Sequence, residues 1–150
     1  MDLTTALLGE HAVLHTLLDR IERAAPGWDL GACQEWGRLL EAALETHAGL
    51  EDRLLFLALE PALGTQGGPL AVMRLEHERI EGAIHRLAAA ADAAEARRLL
   101  AEIAATARSH FAKEENVLFP MAARFLGTGR LEELGAEWAA ARIPQSAHCG

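Results

Sequence analysis

A chain of 150 residues with a formal net charge of -8 suits one domain with one sizeable core, and its wealth of Ala, Leu, Glu and Arg beside a complete lack of Tyr favours helices over strands. The acidic balance argues against nucleic acid as a partner, because gripping phosphates needs clustered Lys and Arg. No apolar run reaches the roughly 18 residues of a membrane span, and Met1-Asp2-Leu3 opens no secretory signal, so no membrane partner is expected and the expected compartment is the cytoplasm.

Taken in chain order, the breaker residues cut out helical segments. The first is expected over about 3–25, with Leu7, Leu14, Leu18 and Ile21 on one stripe and Pro26-Gly27 as its stop. The second, about 30–63, carries Leu40, Ala43, Leu44, Leu54 and Ala58 as its apolar stripe and ends at the glycine-rich loop from Gly64 to Pro69. The third, about 69–91, opens on a first-turn proline. Asp92 and Glu95 have capping-box spacing, so the fourth begins at about 93 and runs to 126, before Gly127-Thr128-Gly129. A short helix follows near 130–142, and 143–150 reads as a polar tail. Pro61 and Pro120 should kink or stop the helices they sit in. Short loops between neighbours make an all-α, up-down-up-down four-helix bundle over 1–142 the simplest packing.

The chain also repeats itself. His47 and Glu51, followed by Asp52, Leu55 and Phe56, recur as His110 and Glu114, followed by Glu115, Leu118 and Phe119, each set with a proline close behind. Glu10-His11 aligns in the same way with Glu76-His77, which sets His15 opposite Glu81. Each half is thus a helical hairpin with a histidine on its first helix and HxxxE on its second. Residues four apart share a helix face, so each HxxxE presents an imidazole and a carboxylate in one direction.

Apolar neighbours say that this direction is inward. Leu40, Leu44 and Leu54 flank His47 and Glu51; Ala107, Leu118 and Met121 flank His110 and Glu114; Leu7, Leu14 and Leu18 surround His11; Met73, Ile80 and Ile84 surround His77. Several unpaired carboxylates in such a layer would repel one another and cost several kcal/mol each, and a cation resolves the conflict. The heights agree: His11 lies 16 residues before Gly27 and His47 lies 20 after it, a mismatch of about one turn at about 1.5 Å per residue. His77 lies 15 before Asp92 and His110 lies 18 after it, so all four histidines can share a layer.

With its paired segments EDRLLFLALEP and EENVLFPMA, the chain resembles the hemerythrin-like, HHE cation-binding family over roughly residues 7–125. The resemblance implies two irons bridged by Glu51 and Glu114, with His11, His47, His77 and His110 as terminal ligands. Two departures stand out. The hemerythrin pattern has HxxxH on its third helix where this chain has His77 and Glu81, and HxxxxD on its fourth where this chain has His110 and Glu114 with Glu115 next. Glu81 is therefore the expected further ligand. Counting positions around two octahedral irons, with an oxo or hydroxo bridge in place, a monodentate Glu81 leaves a single open position. Its added negative charge should favour the ferric state, and hence consumption of a ligand over reversible carriage.

The remaining ionisable residues have plainer expectations. His15 shares a face with His11 and is expected in a rim or supporting role. Glu10, Asp52, Glu76, Glu78 and Glu115 adjoin the ligands in sequence and should face solvent. His85 and His148 have no partner at ligand spacing, Trp28, Trp36 and Trp138 should be packing residues, and Cys33 and Cys149 plain thiols.

Imidazole and carboxylate without thiolate suit Fe, with Mn or Zn as substitutes, and bridging acids favour a redox pair over a structural zinc. The function this implies is a di-iron protein that binds or reduces O₂, NO or H₂O₂, with oxidase, peroxidase or NO-reducing turnover as open outcomes. Iron sensing, iron donation and a purely metal-stapled bundle are the alternatives. No GxGxxG, GxxxxGK[ST] or nucleophile motif suggests a larger substrate.

Overall fold

The structure, a computed structural model, describes residues 1–142; the expected tail, with His148 and Cys149, lies outside the described residues. Among the described residues there are helices and no strands, arranged as four antiparallel rods. The first rod is α1 (Leu3–Ala24), which a single turn of 3₁₀ helix, Ala25–Gly27, leads out of. The second joins α2 (Leu30–Leu50) to α3 (Leu57–Leu63). The third is α4 (Gly68–Ala88), and the fourth joins α5 (Ala93–Lys113) to α6 (Phe119–Arg142). No helix among them is long and apolar enough to cross a membrane.

Local chemistry explains the starts. Asp2, Asp29 and Asp92 each accept a backbone N–H of their helix's first turn, from Thr5, Ala32 and Glu95 respectively. Glu95 reaches back to the Ala91 N–H, so the expected capping box closes, shifted by one donor.

Two features depart from the expected segments. Within the second and fourth rods the helix widens into a π turn, over Glu51–Phe56 and Glu114–Leu118. There the Leu57 N–H bonds to the Asp52 carbonyl, and the Phe119 N–H to that of Glu114. Each wide turn inserts one residue into the helical count, and such turns concentrate at functional positions. Downstream, the buried face is consequently rotated: Leu55, Phe56 and Leu59 are core where Leu54 and Ala58 were expected, and Ala122 is buried where Met121 was. The second departure lies in α6. The expected break at 127–129 is reduced to one residue, Gly127, whose φ of 73° needs a glycine. Beyond it the helix swings back over the N-terminus, and Gly135 packs so closely on Met1 and Asp2 that a Cβ there would collide with their backbone.

The core is in two pieces. One apolar cluster gathers Leu14, Leu18, Leu40, Leu44, Ile80, Ile84, Ile103 and Ala107, and the other Leu3, Leu7, Leu55, Phe56, Met73, Leu118, Phe119 and Ala122. Between them lies a polar layer made by His11, His47, Glu51, His110 and Glu114, all at most 2 % exposed, with His77 beside them.

Candidate metal centre

The polar layer brings together six of the residues expected to hold metal. They form two groups that share both acids: His11 and His47 with Glu51 and Glu114, and His77 and His110 with the same Glu51 and Glu114, the ligand atoms of each group lying within 4.8 Å of one another. The acids divide their oxygens between the halves. Glu51 Oε1 lies 3.1 Å from His47 Nε2, and its Oε2 lies 3.3 Å from His77 Nε2. Glu114 Oε2 lies 3.3 Å from His11 Nε2, and its Oε1 lies 3.3 Å from His110 Nε2. All four oxygens are buried without a hydrogen-bond partner. Orphaned buried carboxylates are costly, and a cation in each half would satisfy them.

The imidazoles carry the same message. His11 Nε2 lies 3.1 Å from His47 Nε2, and His77 Nε2 lies 3.0 Å from His110 Nε2. Donors about 2.1 Å from one ion and at right angles to each other would stand about 3 Å apart. On the far side of the rings, the Nδ1–H of His11 donates to Glu115 (2.8 Å), that of His47 to Glu10 (2.6 Å) and that of His110 to Glu76 (3.0 Å). His77 Nδ1 faces Asp52 at 3.6 Å, where the side chain is one methylene shorter than Glu115 at the matching place in the repeat. Glu115, Glu10 and Glu76 fix the tautomer that turns the Nε2 lone pairs of His11, His47 and His110 inward, and Asp52 faces His77 from the same side without a hydrogen bond. Two inward lone pairs at 3 Å need a proton or a metal between them. The residues present therefore fit a pair of metal ions.

Three of the five neighbouring acids expected in solvent thus hold histidines, Asp52 faces a fourth, and only Glu78 is simply exposed. They make a closed ring: an acid on each rod stands against the histidine of the next. The repeat carried the signal, since an acid directly beside an inward residue points about 100° round the helix, toward the neighbouring rod. Aromatic rings follow the repeat too, Phe56 stacking on His77 at 5.5 Å and Phe119 on His11 at 5.6 Å.

Glu81 requires a correction. Its side chain is 69 % exposed and approaches only His85, at 4.0 Å, so it joins neither group. Four residues past His77 carry it about 40° further round the helix, away from the buried stripe of Met73, Glu76, Ile80, Ile84 and Leu87, and so out to the rim. The bias toward the ferric state argued from its charge falls away with it. His15 sits at the rim as expected: its Nδ1 accepts from Arg108 Nη1 at 2.9 Å, and Arg108 in turn pairs with Asp19 and Glu22. Trp28 and Trp36 stack on each other at 5.1 Å. Trp138 does more than pack. Its Nε1–H donates to Glu10 Oε1 at 2.8 Å, and Arg142 Nε donates to the same oxygen at 2.7 Å, while Glu10 Oε2 holds His47. Cys33 is a buried free thiol.

A family model, the hemerythrin HHE cation-binding domain, matches residues 2–141. The chain belongs to this family. No curated protein and no solved structure matches it significantly. Membership of the hemerythrin HHE family establishes a cation-binding domain, and the His/Glu layer is where this member can hold its cations.

Electrostatics sharpen that reading. Burial alone would push the His11 pKa down, but the Glu114 and Glu51 carboxylates raise it to about 9. Burial is likewise outweighed at His47, where Glu51 and Glu10 raise the pKa to about 10, and at His77, where Asp52 and Glu51 raise it to about 9. Glu51 resists the upward push of burial because His47, His11 and His77 surround it, which holds it well below its ordinary value. Without metal, His11, His47 and His77 hold protons at neutral pH. Metal must displace them, so apparent affinity should rise about tenfold or more per pH unit between pH 7 and 9. Titration calorimetry in two buffers of different ionisation heat would count the released protons. The metal-free protein should respond oppositely: the raised histidine pKa values stabilise it fully below about pH 6.5, and that contribution is lost as pH rises through about 9 to 10.

The ring of acids yields its own expectation. Glu10→Ala should weaken metal binding about 10–100-fold by freeing the His47 ring, whereas Trp138→Phe, which removes one of the three side chains that donate to Glu10, should cost less. Competition with a chelator of known affinity measures both.

Proposed function

We propose that this protein holds two iron ions between Glu51 and Glu114 and uses them to bind or reduce a small diatomic or peroxide ligand: O₂, NO or H₂O₂. The observation that carries the reading is the sharing of both acids, each giving one oxygen to each half of the layer. A structural zinc would need one closed set of four donors, often with cysteine, and has no use for shared acids. Bound there, an iron pair would supply one-electron redox chemistry and open positions for a small ligand.

The chain's own residues do the rest. His11, His47, His77 and His110 offer Nε2 donors, and Glu115, Glu10 and Glu76 set the direction of His11, His47 and His110. Phe56, Phe111 and Phe119 pack on the imidazoles and keep bulk water away. With Glu81 out of reach, more than one position stays free for exogenous ligands, and Mn or Zn could occupy the same donors. The test is anaerobic loading with ferrous iron, an elemental count, and stopped-flow absorbance against O₂, NO and H₂O₂. About two irons per chain and a rapid optical change with at least one ligand are expected. A single tightly held metal under iron-replete, zinc-free conditions would sink the proposal. Two irons that ignore all three ligands would leave iron sensing, iron donation or stapling as the function.

A further inference from the structure

The two halves of the layer are built on one repeat, yet they are not equally enclosed. The His11 imidazole is 1 % exposed, while the side chain of His77, its counterpart, is 12 % exposed. A cavity of about 240 Å³ opens between α2 and α4 and is lined at its inner end by His47, His77, His110 and Phe111, but not by His11. Behind those rings stand the orphaned oxygens of Glu51 and Glu114.

The repeat shows why the layer is more open on this side, among the described residues, than beside His11. Ala48, after His47, aligns with Phe111, after His110. Phe111 stacks on His11 at 4.3 Å, with His15 against its edge at 5.4 Å, and fills the space between α1 and α5. Ala48, half-buried on the cavity wall, fills nothing. Glu81 and His15, which also align, differ in the same sense: His15 packs against the plug, and Glu81 stands in the mouth. Glu41, Glu45 and Asp52 line the cavity with it, and His85 spans the gap, 3.8 Å from Glu41 and 4.0 Å from Glu81. Against these carboxylates stands the Arg53 guanidinium near Gly49, so the mouth is net negative.

We propose that the gap between α2 and α4 is the port by which divalent cations reach and leave the centre, and that the ion held by His77 and His110 exchanges first. This rests on the two-ion reading above. At its inner end stand His77 and His110, with His47 and Phe111 beside them, its walls are Leu44, Ala48, Ile80 and Ile84, and its acidic mouth concentrates cations. Of the other pair the cavity touches His47 alone, and His11, on which Phe111 stacks, does not line it.

The experiment loads the full chain anaerobically with ferrous iron, counts the metal, then follows release to a colour-forming chelator and uptake by stopped flow. Release should be biphasic, one equivalent leaving about tenfold faster or more than the other, since charge-lined openings change rates on that scale. His77→Ala should remove the fast phase and His11→Ala the slow one. Ala48→Phe, which copies the plug of the closed side, should slow the fast phase about tenfold while two ions still bind. Glu45→Lys with Glu81→Lys, at exposed positions, should slow uptake severalfold and reverse its salt dependence. Two ions released in a single phase, or an Ala48→Phe protein with two ions and unchanged rates, would overturn the port while leaving the two-ion reading intact. Should Ala48→Phe not fold, unchanged uptake in the lysine pair would overturn it equally. Fewer than two ions in the unmodified protein would instead defeat the reading on which the port rests.

Discussion

Replacing Glu51 or Glu114 with alanine is expected to empty the centre of both ions at once, taking the metal content from about two per chain to near zero. Each carboxylate places one oxygen against a histidine of either half, so neither ion keeps its donor set when one acid is lost. Glu51→Gln and Glu114→Gln, which keep the shape and discard the charge, should fare little better, because both oxygens are needed as anionic acceptors. Elemental analysis of the purified variants decides this. Loss of only one ion in both alanine variants would show that the acids do not bridge.

Stripping the ions should lower the melting temperature by about 5–10 °C for each ion held at a hundredfold excess over its dissociation constant. That concentration corresponds to about 2.7 kcal/mol of linkage, and a domain of this size shifts by about 2–4 °C per kcal/mol. The cost has a visible origin in the orphaned oxygens of Glu51 and Glu114, at the seam between two apolar clusters. Those clusters need no metal, so the stripped protein should keep its helices by circular dichroism. Hydrogen exchange should rise first at the wide turns, Glu51–Phe56 and Glu114–Leu118, where the backbone bonding already departs from the α pattern. An unchanged melting temperature after complete chelation would place metal binding outside the core.

The helices, their caps at Asp2, Asp29 and Asp92, and the pairing of HxxxE with an upstream histidine were all legible along the chain. Each depends on residues within one or two turns of one another, where spacing and geometry are nearly the same thing. The inward layer of His11, His47, Glu51, His77, His110 and Glu114 was legible for a related reason: apolar neighbours at helical period give the buried face, and the repeat gives the height.

Beyond that reach, packing between rods made the decisions. The outer acids were misread because a residue beside a ligand leaves the inward face, and only the neighbouring rod turns that exit into a contact with a histidine. Glu81 was misread for the opposite reason. It stands at ligand spacing, but spacing fixes only its own helix, and the rotation of α4 against α2 sends it to the mouth of the cavity. The wide turns left no trace in periodicity short enough to notice, yet they moved the core face from Leu54 to Leu55 and from Met121 to Ala122. Spacing along one helix thus determined which side chains could reach the inward layer. Packing between helices decided which of them do: six meet there, Glu81 stays at the rim, and the cavity reaches His77 rather than His11.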